Sequence, residues 1–390
     1  MNSEPLPSSP RGGEGPTHET IHYDLIPKTM KTIPVLAMAL ALASCAGNQA
    51  PVEIIDLPRA AETPASLKEA VEAMIAEDDT LPDVMFESVM ILKHGEVLYE
   101  NWYGDAAADK PHVMWSVSKS FCAAAVGMCV DDSLIKVTDK VIDFFPENLP
   151  TEQSDYLKAM TVHDLLTMNC GHETETPIRV VSADVDTTTN WVSKFLAHPV
   201  TKEPGTWYCY NSIGTFMCSA IVQKVTGKKV NDLLAERLWQ PLHISQPEWW
   251  ENPEGINCGG WGLHLKTEDM AKFGQLFLQK GKWNGQQLIS ESWVNEQSKY
   301  HVPSVPAGTR PDEVEMKGLT KENCSWLLGY GYQMWISPED SYRADGAFGQ
   351  YIYVWPAQDA VIAITANSRD LQAEQNLIYK YIYPAIKALK

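Results

Sequence analysis

No residue from 121 to 130, Phe-Cys-Ala-Ala-Ala-Val-Gly-Met-Cys-Val, carries a charge, an amide or a hydroxyl. Read as a helix, the segment is apolar on every face, and such a helix is stable only in the middle of a core. The fold must therefore surround it. Its head, Trp115-Ser116-Val117-Ser118-Lys119-Ser120, sets a serine and a lysine three residues apart. Residues at that spacing share a helix face, so the Lys119 amine reaches the Ser116 hydroxyl. A serine is a poor nucleophile until a base takes its proton, and a lysine acts as that base only where burial lowers its pKa. The apolar helix supplies the burial. The pairing suits acyl transfer.

Spacing alone is a weak signal, because a chain of this length holds roughly one or two Ser-x-x-Lys matches by chance. A second match, Ser133-Leu134-Ile135-Lys136, follows Asp131-Asp132 where the helix should end, and it reads as a solvated turn. The 390 residues are ample for one large domain or two modest ones. A formal charge of −19, with no basic stripe to offset it, argues against nucleic acid as a partner. The ten histidines form no metal-ligand cluster, and no glycine-rich phosphate loop is present. The eight cysteines lack Cys-x-x-Cys spacing, so neither a zinc site nor a dense disulfide framework is indicated, although one disulfide is compatible with an oxidising compartment. No metal or organic cofactor is implied.

The amino-terminal region reads as an address. Lys28 and Lys31 precede an apolar run over 33–43 that is too short to span a bilayer and suits a signal-peptide core. It ends in Leu42-Ala43-Ser44-Cys45, which resembles a bacterial lipoprotein signal. On that reading residues 1–44 are removed, Cys45 carries lipid, residues 45–65 form a tether, and the mature protein is membrane-anchored in the cell envelope, facing the periplasm.

Residues 66–76 show helical spacing of Leu67, Ala70, Val71, Met74 and Ile75. Residues 86–102 alternate around His94-Gly95 and predict a β-hairpin. Helices are expected over 161–168, 213–225, 266–279 and 373–389, and strands over 330–336, 351–355 and 360–366. Strands at both ends with helices between them imply an α+β domain over 66–390: one antiparallel sheet built from both chain ends, flanked by helices, with a mainly helical insertion over about 120–265.

Several ordered segments resemble the serine β-lactamase/penicillin-binding-protein superfamily, and within it the class C-like branch that includes esterases and 6-aminohexanoate-dimer hydrolases. They are Trp-Ser-Val-Ser-Lys-Ser-Phe at 115–121, Thr-Val-His-Asp-Leu-Leu-Thr-Met-Asn-Cys-Gly at 161–171, and Pro204-Gly205-Thr206-Trp207 leading into Tyr210-Asn211-Ser212. Gly260-Trp261-Gly262-Leu263-His264-Leu265, Asp269-Met270-Ala271-Lys272-Phe273-Gly274-Gln275-Leu276 and Asp345-Gly346-Ala347-Phe348-Gly349-Gln350 follow. The resemblance implies a β-lactamase/transpeptidase-like fold and an acyl-enzyme on Ser116, with Lys119 as base or proton relay. It implies that Tyr210, its phenol ionised or sharing a proton, protonates the leaving group. The oxyanion would meet the amides of Ser116 and Ala347, with Gly346 and Gly349 allowing close approach.

Two departures from the family pattern bear on substrate. Tyr-x-Asn is replaced by Tyr210-Asn211-Ser212, so the amide that grips an acyl group becomes a hydroxyl or moves by one residue. Lys-Thr-Gly or His-Thr-Gly is replaced by Ala344-Asp345-Gly346, and an ionised Asp345 would repel the carboxylate of a penicillin or peptide terminus. The expected activity is hydrolysis of a small-molecule ester or amide. The alternatives are a β-lactamase or D,D-peptidase, or an inactive cell-envelope binding protein. Pocket walls are expected from residues 171–190 and 302–325, with Trp191, Trp261 and Trp335 as candidates either for the cleft or for the core.

Overall fold

At His94 and Gly95 the backbone takes φ values of 53° and 79°, the left-handed pair that suits a tight hairpin with the twist of its own strands. They join β1 (Phe86–Lys93) to β2 (Glu96–Trp102). The other large strands come from the far end of the chain: β3 (Trp335–Ser337), β4 (Ser341–Gly346), β5 (Gln350–Trp355) and β6 (Ala360–Ala366). The computed structural model describes residues 56–178 and 190–389. Cys45 and the segments expected to form a leader and the start of a tether lie outside the described residues, as do residues 179–189 of the stretch expected to wall the pocket.

The strand order is β2-β1-β6-β5-β4-β3, with every neighbouring pair antiparallel. β1 pairs with β6, Met90 facing Ala363 and Ile91 facing Ile362. This is the sheet expected from the two chain ends. β4, β5 and β6 are buried along their whole length, because helices cover both faces of the sheet. On one face Val89, Ile91, Tyr353, Ile362 and Ile364 pack with Leu67, Val71 and Met74 of α1 (Ala65–Asp78) and with Ile378, Ile382 and Ile386 near the carboxyl terminus. Met90, Leu92, Ile352, Val354, Val361 and Ala363 point the other way, into the main core. Each of the Val, Leu, Ile and Met side chains contributes about 1.5–3 kcal/mol on burial.

The apolar run becomes α2 (Ser118–Asp131), buried from Ser118 through Cys129. It packs against α3 (Ser212–Thr226). α4 (Thr267–Leu278) lies on the sheet, where Gly274 permits close approach: a Cβ there would fall 2.4 Å from Val361. Shorter helices accompany α3 between α2 and residue 263, and His112–Val113 pairs antiparallel with His264–Leu265. The seven described cysteines are unpaired thiols. Among the described residues no helix is long and apolar enough to cross a membrane.

Two differences from the sequence expectations have physical causes. The strand expected over 330–336 reaches the sheet only at Trp335. Gln333, at φ 58°, turns the chain inward, and its buried amide donates to Leu165 O and Leu166 O at 3.0 and 2.9 Å and accepts from Thr215 Oγ1 at 2.6 Å. Satisfying that buried amide takes precedence over strand pairing. The tether also joins the body earlier than expected. Val97 N donates to Pro58 O at 2.8 Å and Ala60 N to Val97 O at 3.0 Å, so residues 58–60 line the outer edge of β2. The Arg59 guanidinium fixes this edge by pairing with Glu100 and Glu268, each at 2.9 Å.

Candidate active site

Ser116 sits in a single 3-10 turn, Trp115–Val117, that leads into α2. Lys119 follows in the first turn of α2, and residues three apart share a helix face, so it comes to lie beside Ser116. Trp115 holds φ at 45°, a conformation a large residue keeps only when its surroundings impose it. Here Met114 N donates to Leu263 O at 2.7 Å and Val117 N to Met114 O at 3.0 Å. The Trp115 ring meets Trp250 edge-on at 6.2 Å and Phe348 at 5.6 Å.

Lys119 is 1% exposed. Its Nζ donates to Ser116 Oγ at 2.8 Å, to Gly260 O at 2.8 Å and to Ser212 Oγ at 3.3 Å. These three partners match the three hydrogens of an ammonium. Burial pulls the amine down to about 7, against the pull of Glu175 and Asp345 in the opposite direction. An amine in that range is half neutral near physiological pH. Nζ also lies 4.8 Å from the centre of the Tyr210 ring.

Tyr210 stacks on Trp335 at 5.6 Å and meets Tyr330 edge-on at 6.3 Å. Burial pushes its phenol well above the usual tyrosine range, and interaction with the Ser116 hydroxyl only partly offsets this. The phenol is therefore a neutral donor, which departs from the ionised form entertained from the sequence. Asn211 is fully buried and faces away from Lys119. Its amide donates to Thr176 Oγ1 and reaches His172 Nδ1, both at 3.1 Å, while its oxygen caps α3 by accepting from Ile213 N at 3.1 Å. Ser212, the next residue, takes the position beside the lysine. Of the two outcomes left open by Tyr210-Asn211-Ser212, the structure has the hydroxyl.

β4 brings the last segment in. A Cβ on Gly346 would fall 2.5 Å from Met114 O and 3.3 Å from Ser116 N, so only glycine lets the strand run against the turn that carries Ser116. The exposed Ala347 follows it. A cavity of about 250 Å³ opens here, lined by Ser116, Tyr210, Trp335, Asp345 and Ala347, with Pro306, Ala307, Trp326 and Leu371 as the remaining wall. Pro306 and Ala307 come from the loop expected to contribute. Of the three tryptophan candidates only Trp335 lines the cavity; Trp191 and Trp261 are buried and stack on each other at 5.9 Å.

Asp345 corrects an expectation. Its charge is not free: Arg343 Nε donates to Oδ2 at 2.9 Å, and Trp326 Nε1 donates to the same oxygen at 2.9 Å. Arg343 is fully buried, and Asp345 is 8% exposed. The pair is locally neutral, so the repulsion of carboxylates expected from an ionised aspartate is weakened. The two residues are neighbours on one face of β4, at period-two spacing. Gly260 and Glu175 were also missed. Gly260 supplies a carbonyl to Lys119, and Glu175 accepts from Ser212 N at 2.8 Å. Gly260 stood inside a motif already noted, whereas nothing in the sequence singled out Glu175 or Trp326.

A larger cavity, about 560 Å³, lies by His243, Glu248, Lys266 and Lys272, and it contains none of the groups around Ser116. Among the described residues no group of three or more His, Cys, Asp or Glu side chains is arranged to hold a metal ion.

Residues 74–383 match the family model described as Beta-lactamase. The 6-aminohexanoate-dimer hydrolase of Paenarthrobacter ureafaciens is 25% identical over 331 residues, covering 78% of this chain and 81% of that protein. A penicillin-binding protein homologue from Caulobacter crescentus shares the fold with a TM-score of 0.63 at 14% identity, over 85% of this chain and 99% of that one. EstCE1, a hydrolase with promiscuous acyltransferase activity, gives a TM-score of 0.63 at 15% identity, over 82% and 98% of the two chains.

Proposed function

Because the chain belongs to the beta-lactamase family, we propose that it is a serine hydrolase cleaving a carboxylic ester or amide through an acyl-enzyme on Ser116. The observation that carries this reading is the buried Lys119 amine, held at about 7 and 2.8 Å from Ser116 Oγ. When Lys119 loses its proton, two hydrogens keep Gly260 O and Ser212 Oγ, and the lone pair turns to the Ser116 hydroxyl. Ser116 Oγ then attacks the acyl carbon as its proton passes to Lys119. The neutral Tyr210 phenol protonates the leaving oxygen or nitrogen and recovers a proton from Lys119. Water attacks the acyl-enzyme by the reverse relay and releases the acid. The amides of Ser116 and Ala347 are the proposed oxyanion donors, a role supported by the contact that Gly346 allows.

The relatives named a hydrolase and an acyltransferase-active hydrolase support this chemistry. Recognition of a β-lactam or peptide carboxylate is disfavoured, since Arg343 is already paired with Asp345. Labelling by a fluorophosphonate tests the reading. Wild type should label, and Ser116→Ala should not, with kcat on aryl esters falling at least about a thousandfold. An unlabelled wild type supports a binding protein, and cephalosporin turnover matching ester turnover supports a β-lactamase.

We further propose that Leu42-Ala43-Ser44-Cys45 directs lipidation of Cys45 and anchors the enzyme in the cell envelope, facing the periplasm. Palmitate incorporation should be lost in Cys45→Ala, and incorporation that survives the change would end this reading.

A further inference from the structure

The cavity beside Ser116 has an aromatic and aliphatic wall with a single carboxylate in it, and that carboxylate is paired with a buried guanidinium. One oxygen of Asp345 accepts both the Trp326 indole N–H and the Arg343 guanidinium, each at 2.9 Å. Arg343 is held in turn by Ser337 Oγ at 2.9 Å and Ser325 Oγ at 3.2 Å. Ser325 donates its hydroxyl to Gln375 Oε1 at 2.7 Å and its amide to Gln372 Oε1 at 2.9 Å. Trp326 is therefore held to the strand through its indole N–H, its neighbour Ser325 is bonded to the helix Leu371–Leu377, and the guanidinium lies 5.7 Å from its ring centre. A loop residue fixed this firmly is a rigid wall.

We infer that Trp326, held by the buried Asp345–Arg343 pair, sets the acyl specificity of the site and restricts it to compact, uncharged acyl groups. The inference rests on the hydrolase reading of Ser116 and goes beyond it by naming the substrate class. A volume of about 250 Å³ accommodates roughly eight water-sized groups, enough for a carbonyl and a chain of about six carbons. A carboxylate or ammonium at the end of that chain would lose its water and meet no uncompensated partner among the described lining residues. Asp345 thus acts as a positioning residue for Trp326, where a bare aspartate would have acted as a counter-ion.

The test compares kcat/KM over p-nitrophenyl acetate, butyrate, hexanoate, octanoate and decanoate, with the monosuccinyl and 4-aminobutyryl esters as charged analogues of butyrate. Wild type should peak at butyrate or hexanoate and fall at least about tenfold for decanoate and for both charged esters. Trp326→Ala should raise the decanoate-to-butyrate ratio by about tenfold or more. Trp326→Phe keeps a ring but cannot donate to Asp345, and it should shift the same ratio by a smaller factor; it decides the matter if the alanine variant does not fold. A ratio within twofold of wild type in a folded, fluorophosphonate-labelled variant overturns the inference alone, as does a wild-type preference for either charged ester. Absence of labelling in wild type sinks the hydrolase reading, and the inference with it.

Discussion

At the scale of single residues the chemistry turns on what burial does to Lys119. Its amine is drawn from the ordinary 10.5 down to about 7, and in the proposed mechanism only the neutral form accepts the Ser116 proton. The ester kcat/KM should therefore rise with pH through an apparent pKa near 7 and level off above it, and a pH–rate profile checks this directly. The same shift affects stability. Between about 7 and 10.5 the unfolded chain holds a proton that the folded one has shed, so the Lys119 contribution to stability improves as pH rises through that window. Lys119→Met removes the titration. Its melting temperature relative to wild type should be highest near about pH 6.5 and decline towards about pH 9.5. Ser116 and Lys119 were legible because the apolar run both locates the helix and explains the perturbed amine. Tyr210 was placed by resemblance alone. The role of Asp345 was not legible, because its charge depends on Arg343 and on a tryptophan that arrives from a loop.

At the scale of elements, β4 carries two burdens on adjacent residues. Asp345 balances a buried guanidinium, and Gly346 passes within contact of the turn that carries Ser116. Asp345→Ala should destabilise the fold by about 3–5 kcal/mol, since it leaves Arg343 charged and unpaired in the interior. Chemical denaturation measures that loss. Gly346→Val should cost less in stability, about 1–3 kcal/mol, yet reduce turnover sharply by pushing β4 away from Ser116. Thermal melting read against ester kinetics separates the two effects. The hairpin at His94-Gly95 and the helices α1, α3 and α4 follow from local periodicity and turn chemistry, which is why their expected bounds agree with the structure within a few residues. The stretch 330–336 has equally strong strand propensity, but its outcome is set by the partners of one buried glutamine more than a hundred residues away. Likewise, Ser212 and not Asn211 stands beside Lys119, while Thr176 and His172 engage the Asn211 amide.

At the scale of the molecule, the central seam of the sheet joins β1 to β6, strands separated by most of the chain. Neither end completes the sheet alone. Deleting residues 371–390 removes Ile378, Ile382 and Ile386 from one face of it, and the truncated chain should show no cooperative melt by circular dichroism. The outer margin of the sheet is finished differently. Residues 58–60 lie along β2 and occupy backbone groups there that would otherwise be open to another strand. The chain thus wears its own leading segment as a hem. Trimmed of it, neighbouring copies crowded together would be free to stitch edge to edge into insoluble assemblies.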